Sequence, residues 1–377
     1  MQSLWYSRPT LEALHFLAMA KAYLRFRDPR RKRAGKHLDA FYDRIWREAA
    51  EQLGATYHPL GYGIADITLN DALVRTIENT CSIDDPVTIA IALNKLLSYR
   101  LLNESGLPTP PHLGFKLKTI DRAGDFLASV GGMCVVKPAS GTGGGRGITT
   151  GIRSASHLAR AAAVAAVYDD ELMIEQQVQG DNYRLLYLDG VLLDAFVRKL
   201  PSVVGDGQSS ITGLVHKANA ERLAQGSGVS QVLLTIDFDM RRTLANQGLS
   251  LRSVPAAGQV VTLKIVVNEN RGDDNSTATE QLCPSIIDAG ARAAQALHVR
   301  LAGIDIITRD PTVPLADSGG VVIEVNTTPN YYYHYNKSDG CFPVANHVLK
   351  HLLLSSSKAN PGAIKREIAW AFRNSHN

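Results

Sequence analysis

An α+β protein of two lobes, preceded by a mixed α/β N-terminal region, is the fold class this sequence predicts. Three observations predict it. Short strand patterns alternate with helical ones from Met133 onward. The runs 183–188 and 191–198 are joined by Asp189-Gly190, a tight hairpin signal. The segments 303–308 and 320–326 read as antiparallel neighbours, and several hairpins among mixed elements argue against one regular parallel sheet.

In chain order, residues 10–26 carry Leu11, Leu14, Leu17 and Leu24 at helical spacing and predict the first helix. Residues 42–52 predict a second, with Trp46 on its apolar side, and 86–103 a third, ended by Gly106-Leu107-Pro108. A short apolar strand at 133–137 runs into a glycine-rich stretch and returns as a strand at 148–152. Ser154 can cap an alanine-rich helix over 154–167. Strands follow at 172–175, 183–188 and 191–198, and another at 256–267. A helix at 284–297 precedes the paired strands, and a helix at 344–354 closes the body. Ser355, Ser356 and Ser357 mark a linker to a short helix or frayed tail. The divisions expected are an N-terminal region over 1–89, a body over 90–355 and a tail over 356–377. Within the body, one lobe takes about 110–175 and the other about 176–355.

With 377 residues, 45% hydrophobic and 20% charged, the chain has the make-up of an ordered globular protein that fills more than one core. A net charge of +4 leaves no electrostatic footprint for nucleic acid, so none is expected as a partner. The basic run Arg25, Arg27, Arg30, Arg31, Lys32, Arg33 and Lys36 reads as a solvated face or as an anion-binding patch. Cys81, Cys134, Cys283 and Cys341 form no C-x-x-C pair, which argues against a zinc site and for a reducing compartment. No apolar run is long enough to span a bilayer, and no signal-peptide core opens the chain. A soluble cytoplasmic protein with no membrane partner is expected.

Lys137 ends a strand and is followed by Gly141-Thr142-Gly143-Gly144-Gly145-Arg146-Gly147. Glycines let backbone N–H groups approach an anion, and the lysine adds a point charge for phosphate oxygens. No G-K-[ST] follows, which excludes a Walker A loop; the stretch leads into a strand, which excludes a Rossmann fingerprint. A hairpin folded over phosphates is the mechanical analogy, and a surface loop is the plain alternative. Further on, Glu324 and Asn326 lie two apart on one strand and so share a face. With Asp305 on the neighbouring strand they make a set of hard oxygen donors suited to Mg2+, or else a satisfied polar pair at a sheet end. Between these segments, the apolar strand ending at Glu175 is the kind of edge an adenine ring needs. Arg184 and Arg198 fall on hairpin strands, placed to meet a γ-phosphate or to serve as surface ion-pair partners. The run Tyr331-Tyr332-Tyr333-His334-Tyr335 either shapes a substrate pocket or packs a loop on the core.

In this order the segments resemble the ATP-grasp superfamily. The resemblance is nearest to the ligase domain of cyanophycin synthetase and to fused-type bacterial glutathione synthetases, with D-alanine–D-alanine ligase and the ribosomal-protein glutamate ligase more distant. It spans about residues 94–354. It implies two α+β lobes that clamp ATP, two Mg2+ ions, and Mn2+ as a substitute metal. Asn94-Lys95 resembles the entry helix whose lysine touches the phosphates, and Lys137 resembles the second phosphate lysine. Gly143, Gly144, Gly145 and Arg146 fall in the lid loop, while Glu175 and Val178 match the adenine contacts. Asp181 and Asn182 occupy the ribose position, which is usually acidic, and Gln176 stands where a basic residue is common. Arg184, Arg198 and Gly205-Asp206-Gly207 match the run found in cyanophycin-type enzymes, and Asp305, Glu324 and Asn326 match the magnesium triad. Arg271-Gly272-Asp273-Asp274-Asn275 departs from the usual glycine pair of the substrate loop, here 268–280. The chain ends soon after the grasp domain, without a Mur-ligase domain, so cyanophycin is not the expected product.

The chemistry implied is ATP-dependent joining of a carboxylate to an amine through an acyl phosphate, with release of ADP and phosphate. Lys137, Arg184 and Arg198 would carry the catalytic charges. Small-molecule or peptide carboxylates and amines are the expected partners, and a homodimer is admitted as the assembly. Two rivals stand beside this reading: an ATP-grasp kinase that stops at phosphorylation, and a non-catalytic nucleotide-binding module. The retained Asp305, Glu324 and Asn326 weigh against the second.

Overall fold

The computed structural model describes residues 4–140, 144–224 and 233–356, without the side chains of 4, 31–35 and 356. The expected tail after Ser356 and the lid residues Gly141, Thr142 and Gly143 lie outside the described residues.

Two helices open the chain, α1 (Arg8–Phe26) and α2 (Pro29–Gln52). The second begins well before the expected Tyr42, because Asp28 accepts the Arg30 N–H at 3.0 Å as N-cap and Pro29 takes the first turn. Part of the basic run is therefore helical. A four-stranded antiparallel meander follows: β1 (Thr56–Gly61), β2 (Ile64–Leu69), β3 (Ala72–Ile77) and β4 (Thr80–Cys81). Sequence reasoning placed no strand in this stretch. Its burial alternates through Ala72, Val74 and Thr76, residues small or polar enough to hide a two-residue period. The meander, α2 and the closing helix enclose one core around Trp46, Ile67, Val74 and Leu349.

The expected helix over 86–103 is two helices, α3 (Pro86–Leu93) and α4 (Lys95–Glu104). Asn94 between them is extended (φ −95°, ψ 100°), and its side chain caps α4 by accepting the Leu97 N–H at 3.0 Å. The break stations Lys95 at a helix start, where its N–H donates to the Ala139 carbonyl at 2.8 Å.

The first lobe is a sheet in the order β5-β8-β6-β7, formed by β5 (His112–Phe115), β6 (Cys134–Pro138), β7 (Thr149–Ile152) and β8 (Leu172–Gln176). Helices α5 (Ile120–Val130) and α6 (Ala155–Ala165) cover it, with Leu11 of α1 sharing their core. The second sheet runs β13-β10-β9-β14-β15. Its strands are β9 (Asp181–Leu188), β10 (Val191–Arg198), β13 (Ser276–Thr277), β14 (Leu301–Thr308) and β15 (Val321–Asn326). The hairpin at Asp189-Gly190 has positive φ at both residues (47° and 78°), as its sequence predicts. One face packs on α4 and α9 (Pro284–Ala296). At one end, the other face meets α12 (Val344–Ser356) and the N-terminal core. Between β10 and β13 sits a small unit of β11 (Ser202–Val204), α7 (Ile211–Ala224), α8 (Phe238–Asn246) and β12 (Val260–Thr262). The strand expected over 256–267 contracts to these last three residues. Two short helices, α10 (Leu315–Ser318) and α11 (Tyr332–Tyr335), flank β15.

Candidate active site

Helix α4 stands where the two sheets meet and supplies two polar side chains one turn apart, Lys95 and Tyr99. On the first sheet, Lys137 of β6 and Glu175 of β8 form an ion pair at 2.7 Å with 6% and 8% of their side chains exposed. The Tyr99 hydroxyl accepts from Lys137 Nζ at 3.2 Å. It also stands 2.9 Å from both Glu175 Oε2 and the Ile323 carbonyl of β15, donating to one of them at a time. Two hydrogen bonds therefore separate Lys137 of one lobe from the strand that carries Glu324 in the other. Lys95 completes the junction, with its ammonium 3.7 Å from Glu324 Oε1.

On the second sheet the register sets Asp305 opposite both Arg184 and Glu324, so all three share one face. Arg184 clasps Asp305 with two N–H groups, Nη2 reaching Oδ2 at 2.9 Å. Arg198 approaches the same oxygen at 3.4 Å and donates from Nη2 to Asn268 Oδ1 at 2.8 Å. Burial works against the charge of both arginines. Asp305 outweighs it at Arg184, whose proton is held more tightly than usual, and fails to at Arg198, whose pKa falls. The glycine-rich loop touches this network at Gly145, which at φ +68° abuts Asn268; a Cβ there would collide with Asn268 Nδ2.

The donor set suits a hard divalent cation. Asn326 donates Nδ2 to the Gly303 carbonyl at 3.2 Å, and its Oδ1 has no partner among the described residues. Glu324 is one-third exposed, at 33% of its side chain. Asp305 takes three arginine contacts, and a carboxylate offers about four acceptor positions, so one remains. Among the described residues, no group of three or more His, Cys, Asp or Glu side chains forms a separate metal cluster.

Other expected residues are placed less centrally. Gln176 is half-buried at the end of β8 and Val178 half-buried on the connection after it; Asp181 is exposed, and Asn182 is buried opposite Arg198 with its Oδ1 unpartnered among the described residues. Gly144 is half-buried and Arg146 exposed on the described half of the lid; Gly143 is outside it. The aromatic run divides. Tyr331 packs edge-on to Trp46 (centroids 5.7 Å apart) and Tyr332 to Phe41 (5.4 Å), while Tyr333 and His334 lie against Phe196. Arg25 of the basic run reaches within 3.7 Å of Glu269 beside a cavity under the lid. Sequence reasoning missed Tyr99 and Asp194. Tyr99 follows Lys95 by four residues, one helical turn, and Asp194 is a lone carboxylate within an apolar strand; both signals were present.

Two antiparallel sheets closing on one entry helix, with a glycine hairpin on the first and an oxygen-donor strand pair on the second, are the ATP-grasp fold. No family model matches the chain. It is 31% identical over 255 residues to the cyanophycin synthetase of Trichormus variabilis, covering 67% of this chain and 28% of that protein. It is likewise 31% identical over 286 residues to the cyanophycin synthetase of Geminocystis herdmanii (74% and 32% covered). The bifunctional glutathione biosynthesis protein of Clostridium perfringens is 29% identical over 264 residues (69% and 33% covered). Among solved structures, a bifunctional glutathione synthetase from Pasteurella multocida matches with a TM-score of 0.52 at 25% identity, over 81% of this chain and 42% of that one. The chain thus spans about a third of the length of the curated relatives it matches.

Proposed function

We propose that this chain is an ADP-forming carboxylate–amine ligase. The observation that carries the reading is the junction at Tyr99, where Lys137 of the first sheet and Lys95 of α4 meet the strand of the second sheet that bears Glu324. Lys95, Lys137 and Arg198 would neutralise the charge that spreads over a transferring phosphoryl group. A substrate carboxylate would attack the γ-phosphorus of ATP, giving an acyl phosphate and ADP. An amine would then displace phosphate and form the amide. Asp305, Glu324 and Asn326 would hold Mg2+, which when bound supplies charge stabilisation at the phosphate oxygens. Gly145 seated on Asn268 would close the lid and keep water from the acyl phosphate. Adenine would lie along the edge from Glu175 to Val178. The matched synthetases favour this over a kinase. Four free cysteines support a reducing, cytoplasmic setting, and among the described residues no helix is long and apolar enough to cross a membrane.

The test is purified protein with ATP, Mg2+ and pooled amino acids, followed by mass spectrometry. ADP, phosphate and a product lighter than its two precursors by one water are expected. AMP release, or a phosphorylated product without an amide, would overturn the reading.

A further inference from the structure

His334 is fully buried, and its Nδ1–H donates to Asp194 Oδ2 at 2.7 Å. The other oxygen of Asp194 accepts from Lys337 Nζ, also at 2.7 Å. The carboxylate thereby fixes the ring's orientation and tautomer and leaves Nε2 with the lone pair. That Nε2 is buried without a partner among the described residues, as are the hydroxyl of Tyr333, the preceding residue on α11, and Nε of Arg198. Buried polar atoms are nearly always paired, so unpartnered ones on neighbouring side chains mark where a ligand would complete the set. The place is defined by register. Asp194, Phe196 and Arg198 alternate onto one face of β10, Phe196 lies opposite Arg184, and the His334 ring meets Phe196 edge-on at 4.8 Å. The Arg198 guanidinium lies 5.8 Å from the Tyr333 ring. His334 therefore borders the arginines that the proposed reaction uses.

We propose that His334 is the general base for the incoming amine, with Asp194 as its positioning residue; this rests on the ligase reading above. The amine lone pair forms the C–N bond at the acyl carbon, and the acyl C–O bond breaks with its electrons leaving on phosphate. The surplus proton on nitrogen passes to His334 Nε2, and the imidazolium returns it to water as product departs. The charged groups facing the ring are Asp194 on β10, Arg184 on β9 and Lys337 after α11. Burial foremost, with Arg184 and Lys337, holds the ring below its usual pKa against the pull of Asp194, so it meets the amine neutral. A neutral ring with a free lone pair accepts an N–H and does not bind a carboxylate.

Hydroxylamine separates the two steps, because it is uncharged at neutral pH and traps an acyl phosphate as a hydroxamate without a base. Wild type and His334→Gln are compared with ATP, Mg2+ and the twenty L-amino acids, with and without hydroxylamine. The variant should lose amide formation by about 100-fold or more while hydroxamate formation stays within about threefold, as removal of a general base requires. Equal losses in both arms, or none in either, overturn the base and leave the ligase reading intact. Wild type that makes neither product overturns the ligase reading itself. If the variant fails to fold, the solvent deuterium isotope effect on wild type decides. A larger effect on amide than on hydroxamate formation is expected, and equal effects overturn the proposal.

Discussion

Lys137 and Glu175 meet at 2.7 Å across adjacent strands, and Tyr99 touches both while reaching the backbone of β15. A pair this deeply buried gains little over an apolar pair, yet neither half tolerates loss of the other. Glu175→Ala should therefore destabilise the protein by roughly 3–5 kcal/mol. The urea midpoint should drop with its slope preserved, and an unmoved midpoint would reject the pair's importance.

Tyr99→Phe removes one hydroxyl and little volume. The fold should lose only about 1 kcal/mol, the usual net worth of a hydrogen bond. Lobe alignment should suffer more. Under the proposed function, the KM for ATP in steady-state ADP release is expected to rise several-fold while kcat changes less. A kcat effect without a KM effect would show that Tyr99 does not align the lobes.

Asp305 pairs with Arg184 and Arg198, and under the proposed function its remaining acceptor position would serve a cation. Asp305→Asn cannot serve both arginines, and ADP release should fall at least about 100-fold. Unchanged turnover would remove Asp305 from the site.

Gly145→Ala places a methyl against Asn268 and asks an alanine to adopt φ +68°. ADP release should drop about tenfold or more, because the lid no longer seats. Thermal stability should barely change, since the loop contributes little core. Full activity in this variant would mean the lid does not rest on Asn268 during turnover.

Two carboxylates should give opposite pH signatures. Burial raises the Asp189 pKa, but Arg300 and His351 reverse this and hold it well below its usual value. A depressed folded pKa supplies stability above the unfolded value near 4 that is lost as pH falls through the folded one. Burial beside Asp237 pushes Asp239 up to about 6. Between about 4 and 6 the folded state then holds the extra proton, and stability declines as pH rises through that window. In Tm–pH profiles, Asp189→Asn should flatten the acid limb and Asp239→Asn should remove the decline toward pH 6. Parallel profiles for both variants and wild type would contradict the assignment.

Much of the candidate site was legible because its residues sit on or beside strands with a pattern of their own. Lys137 before the glycines, and Glu324 and Asn326 two apart, announce shared faces without any tertiary information. The partners were not legible. Tyr99 meets Glu175, His334 meets Asp194 and Gly145 meets Asn268 only through strand register and lobe closure, which no local period encodes. The β1–β4 meander was missed for a related reason. Its inward residues include Ala65, Ala72 and Thr76, whose burial comes from α2 and α12 lying over them and not from their own hydrophobicity. The helix break at Asn94 was hidden because Asn inside an apolar stretch reads as a tolerated residue until its side chain is seen capping α4.

The amide of Asn268 touches the glycine flap with one end and holds Arg198 with the other. Under the proposed function, closure of that loop and placement of the arginine would be thermodynamically linked through a single side chain. Whatever factor a bound anion contributes by fixing the guanidinium must reappear, undiminished, in the equilibrium of the flap.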